Sequence, residues 1–214
     1  VMTEKEPTPE YMEKVTDIAS HEFFHIVTPL NIHSEIIESF NFKDPTPSIH
    51  LWLYEGVTEW ASNILLYRGE LVDLDTYLQN SIAQKINVDR QYFDTNWSLK
   101  KLAEESFNPT GSKQYGNIYY RGAIVAGLLD ILLLDKSNGT YGMRELMLDL
   151  IEKYGKGNPF SEESFFDDLA AMTYPEVKPF FEKYVLSANP LPLQEYLNKI
   201  GIQVIWSNKT VSLV

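Results

Sequence analysis

This sequence predicts a mainly α-helical single domain that closes on a short β-hairpin. Three observations carry the prediction. Apolar residues recur at helical spacing in a series of segments, nearly every segment starts or stops at a capping residue, glycine or proline, and only the C-terminal end alternates as a strand does. With 214 residues, 44% hydrophobic and 22% charged, the chain can bury a full core as one unit spanning 1–214. It contains no internal repeat or low-complexity tract.

The first helix starts at Thr8, whose hydroxyl can cap it, with Pro9 at the first helical position, where a missing N–H costs nothing. It carries Tyr11, Val15, Ile18 and the run His21-Glu22-Phe23-Phe24-His25, and is expected to stop near Thr28 because Pro29 disfavours helix before it. Residues 31–48 hold Pro45 and Pro47 and no sustained period, so they read as a connecting loop or short helix forming one rim of a cleft. His33 and His50 fall around it; either could donate a proton or touch a transition state, and a surface or capping position is the plainer reading. A second long helix is expected over 49–68, with Gly69 as its C-cap.

Further helices are expected over 73–88, 98–107, 118–135, 140–154, 161–172, 175–186 and 192–200, with turns at 109–112 and 155–159. Residues 202–206 and 210–213 alternate about Ser207-Asn208 as a hairpin. The longest apolar run, 122–129 continuing past Asp130 to Leu134, reads as a buried helix, too short and interrupted to span a membrane.

A formal charge of −12 argues against nucleic acid and anionic membrane surfaces as partners. The chain has no cysteine, which excludes disulfides, thiolate metal ligands and cysteine nucleophiles.

The chemistry is concentrated in two segments. His21 and His25, four apart on a helix, share a face and can both ligate one zinc ion, while Glu22 between them can take a proton from water activated by the metal. Catalytic zinc needs a third protein ligand, and Trp52-Leu53-Tyr54-Glu55-Gly56-Val57-Thr58-Glu59-Trp60 holds two acids four apart amid aromatic and aliphatic residues, where burying a charge is costly without a cation. Glu55 is therefore read as the third ligand. Glu59, one turn on, is read as accepting a hydrogen bond from the non-ligating N–H of a zinc histidine, His21 in the first place. The alternative for the histidines is a hydrogen-bonded core pair, and for Glu59 a solvated helix position. The apolar residues around both segments, Phe23, Phe24, Trp52, Leu53 and Trp60, are expected in the core, keeping the site dry, with a specificity pocket as the alternative.

Four stretches resemble a gluzincin-type zinc metallopeptidase, and most closely the catalytic domain of the glycyl aminopeptidase family. They are Ser20 through His25, Leu51 through Trp60 around Glu55-Gly56, Tyr119-Tyr120-Arg121-Gly122 leading into an apolar helix, and Tyr184-Val185 to Gly201 with Leu191-Pro192-Leu193 at its centre. The 29 residues between His25 and Glu55 are similar to the long interval of this family.

The resemblance implies the helical catalytic lobe of a thermolysin-like fold, one Zn2+ and a peptide or protein substrate cleaved in an aminopeptidase-like way. It also implies a tyrosine that hydrogen-bonds the oxyanion; by the Tyr-x-x-Gly register this is Tyr119, with the adjacent Tyr120 as the alternative. Relatives follow the histidines with a Trp-Asn pair and a basic stretch, where this chain has Ile26-Val27-Thr28-Pro29-Leu30-Asn31, so the resemblance does not extend to the shape of the nearby substrate pocket, while the metal ligands are unaffected. The family's upstream β-rich lobe, which grips the substrate, should precede the first histidine, but only 20 residues do so here; with its polar, linker-like opening the chain is expected to be a piece of a longer protein. Bacterial members of the family imply an extracytoplasmic location, periplasmic, lipid-anchored or secreted. Two other functions stay open at this stage: a catalytically silent domain that binds peptide or protein, and a zinc hydrolase of a non-peptide substrate.

Overall fold

A computed structural model of the chain describes residues 6–155, 157–208 and 210–214; the linker-like residues 1–5, Lys156 of the expected 155–159 turn and Lys209 next to the hairpin turn lie outside them. The helix signals act where the sequence places them. Thr8 Oγ1 accepts the Tyr11 N–H at 3.2 Å and opens α1, Pro9–Phe24. This helix ends short of the expected Thr28. After Phe24 the backbone tightens, with His25, Ile26 and Val27 N–H groups donating to carbonyls three residues back. His25 thus sits at the C-cap rather than inside the helix.

Residues 31–48 are mostly loop with one short helix, α2 (Glu35–Glu38). A partly buried polar knot fastens this segment. The Glu162 carboxylate accepts from the Ile49 N–H and from Ser48 Oγ, Glu35 accepts the Glu162 N–H at 2.7 Å, and the Ser34 N–H donates to Tyr54 Oη at 3.0 Å. His50 belongs to the same knot and corrects the expectation of a surface histidine. It is fully buried among Phe160, Phe165 and Phe166, donates from Nε2 to the Glu162 carbonyl at 2.9 Å, and burial pushes its pKa down.

The expected 49–68 helix changes winding. Trp52–Val57 is π-helical, opened by the His50 carbonyl accepting from both Leu53 and Tyr54 N–H, and α3 (Thr58–Arg68) continues it in regular α form. The 73–88 helix is likewise split into α4 (Leu74–Thr76), a π-helical stretch over Tyr77–Ala83, and α5 (Gln84–Tyr92), which runs four residues beyond the expected end. Then come α6 (Leu99–Glu104), α7 (Pro109–Ser112) where a plain turn is expected, α8 (Asn117–Lys136), α9 (Met143–Tyr154), α10 (Phe165–Met172), α11 (Val177–Tyr184) and α12 (Leu193–Lys199). The chain closes on strands β1 (Val204–Trp206) and β2 (Val211–Leu213), antiparallel with Val204 opposite Leu213. Asn87 holds the hairpin to α5 by pairing its amide with the backbone of Val211. The mainly helical fold with a terminal hairpin is as the sequence predicts.

At the centre lies α8. It packs against the π-helical turn, α3, α5 and α12, and Ile118, Val125, Ala126, Leu129 and Leu133 along it have no exposure. The expectation that this segment is too interrupted to span a membrane needs correcting. The helix is continuous over 20 residues and is long and apolar enough by length and composition, but 72% of its apolar window is covered by the rest of the protein. Its contact with the π-helical turn is backbone on backbone: a Cβ added to Gly122 would lie 2.8 Å from the Gly56 Cα, and one added to Gly56 2.7 Å from Gly122. Gly122→Ala is therefore expected to destabilise the fold by about 1–3 kcal/mol or more, because neither backbone can yield to a methyl group. Gly127→Ala, whose Cβ would be 3.3 Å from the Trp60 ring, should cost less. Thermal denaturation of the two variants checks the order.

Candidate active site

The crossing of Gly56 and Gly122 fixes what surrounds the site. Glu55 precedes Gly56 by one residue and Tyr119 precedes Gly122 by one helical turn, so the backbone contact brings the two side chains together, close enough for the Tyr119 hydroxyl to hydrogen-bond the Glu55 carboxylate. On the other side, α1 packs along α3 and delivers the two histidines. His21 Nε2 lies 3.3 Å and His25 Nε2 3.7 Å from Glu55 Oε2. Among the described residues, His21, His25 and Glu55 form a group able to hold a metal ion, one donor atom from each, all within 4.8 Å of one another.

Both imidazoles are oriented from behind. His21 Nδ1 donates to Glu59 Oε2 at 2.8 Å, and His25 Nδ1 donates to the Thr28 carbonyl at 2.9 Å. Since a carbonyl oxygen only accepts, His25 carries a proton at Nδ1 and turns Nε2 toward the gap among the three grouped residues. The tight turn after Phe24 is what brings Thr28 back under His25. Glu59 is held in turn by Lys85, whose Nζ is 2.8 Å from its second oxygen and 2.7 Å from Asn63 Oδ1.

The electrostatics follow from these contacts. Burial acts to lower the His21 pKa, but hydrogen bonds to Glu55 and Glu59 win and push it up to about 9. Burial acts to raise Glu59, but the His21 hydrogen bond and the Lys85 charge hold it down at about 2. Without a metal the pair is thus an imidazolium against a carboxylate. Tyr119 is pushed up, first by burial and then by the Glu55 charge, so its hydroxyl stays protonated and remains a donor.

The gap opens into a cleft of about 590 Å³ lined by Lys14, Asp17, Ile18, Glu22, Glu59 and Tyr119 together with the three grouped residues. Glu22 is exposed to it. The Tyr119 ring stands 5.6 Å from the His21 ring, whereas Tyr120 turns away and packs 5.9 Å from Phe93. His33 is tied to the Pro29 carbonyl and to Glu38, and His50 lies in the knot described above, so neither joins the group. Of the flanking apolar residues, Trp52 and Leu53 are buried as expected and Phe24 and Trp60 partly so, but Phe23 is 73% exposed, a correction to its reading as core. The helix turns Phe23 away from α3, outward from the packed side of α1.

Three participants were not legible in the sequence. Thr28 contributes a carbonyl, which every residue has; only the Pro29 that stops the helix hinted at a turn there. Tyr115 stands one turn from Tyr119 with rings 6.0 Å apart, and is one of 13 tyrosines. Lys85 is one of many charges on predicted helices, and its signal, a lysine flanked by apolar Ile82, Ala83 and Ile86, is weak.

The family model described as M61 glycyl aminopeptidase matches residues 14–125, just over half of the chain and the whole of the candidate site. No curated protein sequence matches. Among solved structures, the crystal structure of an aminopeptidase N family protein from Idiomarina loihiensis superposes with a TM-score of 0.82 at 19% sequence identity. The match covers 96% of this chain and 36% of that one, so the chain spans about a third of the length of this structural relative.

Proposed function

Because the chain belongs to the M61 glycyl aminopeptidase family, we propose that it is a zinc peptidase in which His21, His25 and Glu55 hold one Zn2+ and Glu22 is the general base. The observation that carries this reading is the donor set: two imidazoles with Nδ1 engaged and Nε2 facing one carboxylate oxygen at 3.3 and 3.7 Å. Ligands about 2.0–2.1 Å from a tetrahedral zinc stand about 3.3 Å from one another; the carboxylate oxygen stands 3.3 and 3.7 Å from the two imidazole nitrogens and all three atoms lie within 4.8 Å, so the residues present fit the ion. Nitrogen and carboxylate oxygen suit zinc, and a fourth position open to the cleft suits a catalytic rather than a closed structural site.

Zinc in such a site polarises the scissile carbonyl and makes water acidic enough to attack it near neutral pH. The protein supplies the rest. Glu22 takes the proton from the attacking water and passes it to the nitrogen of the leaving amine, so one carboxylate serves as base and then as acid. Tyr119 donates its hydroxyl proton in a hydrogen bond to the carbonyl oxygen as negative charge grows there. Glu59 and the Thr28 carbonyl hold the two imidazoles in the required tautomer. Tyr119, one turn from the Gly56/Gly122 crossing, is preferred to Tyr120, which packs on Phe93.

The substrate is a peptide or protein, cleaved in an aminopeptidase-like way. The same reading places a substrate-gripping β-rich lobe upstream in the same protein, and the enzyme outside the cytoplasm of a bacterium, in the periplasm, on a lipid anchor or secreted. Digestion of a peptide mixture with free and blocked amino termini, beside a panel of small amides and epoxides, tests the function. The expected result is cleavage of free-amino peptides, abolished by a chelator and restored by zinc. Cleavage of the small substrates alone, or of nothing by zinc-loaded protein, contradicts it.

A further inference from the structure

Lys85 is the unexplained residue of this site. It is 8% exposed, and an ammonium group is rarely buried to that extent without a task, because leaving water costs several kcal/mol. It reaches from α5 to the far side of the metal-ligand cluster, where its Nζ contacts Glu59 Oε1 at 2.8 Å and Asn63 Oδ1 at 2.7 Å. Glu59 spends its other oxygen on His21 Nδ1. A single carboxylate therefore bridges a histidine of the candidate metal site and a buried positive charge. Asp17, on the same cleft, lies close enough to feel both Lys85 and Glu59.

Resting on the zinc reading above, we propose that Lys85 sets the strength of the metal site through Glu59, weakening its hold on the cation and sharpening the cation's pull on substrate. Three acidic side chains, Glu22, Glu55 and Glu59, stand around two imidazoles, a set that favours a divalent cation strongly. Lys85 cancels much of the Glu59 charge at its source, and it does so from the side away from the cleft, where it takes no ligand position. A cation whose ligands supply less negative charge stays a stronger Lewis acid. The arrangement separates two jobs that one carboxylate would otherwise combine: Glu59 still fixes the His21 tautomer, but it no longer adds a full charge behind it.

Zinc dissociation constants measured by chelator competition at fixed pH test the assignment. Lys85→Met removes the charge and the hydrogen bonds, Lys85→Gln removes the charge but keeps an N–H donor for Glu59 and Asn63, and Lys85→Arg keeps the charge. Both neutral variants are expected to bind zinc more tightly, by about threefold to tenfold for a charge at this range in partly buried surroundings, with Lys85→Arg within about twofold of the parent. If Lys85 were only a packing or hydrogen-bonding residue, Lys85→Met would lower the melting temperature and leave zinc binding the same or weaker, and that result overturns the proposal. Should Lys85→Met fail to fold, Lys85→Gln carries the measurement by itself. Zinc bound by the parent with unchanged constants in the neutral variants removes the role of Lys85 and leaves the peptidase reading intact; no zinc on the parent removes both.

Discussion

Glu22→Gln is expected to keep about one zinc per chain and to lose peptide hydrolysis by about 10²–10⁴-fold, the range a positioned general acid–base group supplies. The side chain is exposed to the cleft and none of its atoms is counted among the donor set, so replacing its carboxylate by an amide leaves His21, His25 and Glu55 where they are. What goes is the proton acceptor. Gln has no basic oxygen to take a proton from water and nothing to return to the leaving amine, so the loss should fall on kcat with KM little changed. Elemental mass spectrometry and a single-turnover assay on the same preparation check both halves. A variant that keeps full activity refutes the general-base role, and one that loses its zinc makes Glu22 part of the binding site.

The second large effect belongs to the tyrosine pair. Tyr119→Phe is expected to reduce kcat by about 10²–10³-fold, the usual cost of deleting one donor to a developing oxyanion, while zinc content and fold stay as they are. Tyr120→Phe is the internal control: its ring packs on Phe93 away from His21, so activity should change little. The contrast is informative because the two residues are adjacent and chemically identical; only the helical phase set by the Gly56/Gly122 contact separates them. An equal loss in both variants, or a greater loss in Tyr120→Phe, contradicts the assigned phase.

The helical architecture was legible because it depends on local signals. Thr8 and Pro9 start α1, Gly69 caps α3, and apolar residues at helical spacing mark α8 and α9, so element type could be read without knowing the neighbours. Winding and ends depend on tertiary contact and were not. The π-helical turn at Trp52–Val57 lies at a backbone crossing with Gly122, 66 residues further along the chain, and no local pattern announces it. The early end of α1 is the exception, since the turn that follows is held by hydrogen bonds within residues 22–32, and Pro29 marks only its approximate place. The exposure of Phe23 is not legible either, because an apolar residue in a motif looks like core until its face of the helix is known. The grouping of His21, His25 and Glu55 could be anticipated because four-residue spacing and two costly acids constrain one another; of the backing groups, Lys85 arrives from elsewhere in the fold, and Thr28 and Tyr115, though close in sequence to His25 and Tyr119, carry no such mark.

The whole account depends on one cation bridging α1 and the π-helical turn. Elemental mass spectrometry of the purified chain and of His21→Ala tests that most directly. The prediction is near one zinc per chain in the parent and loss of it in the variant. Parent protein without zinc after incubation with the metal, or a variant that retains it in full, contradicts the account.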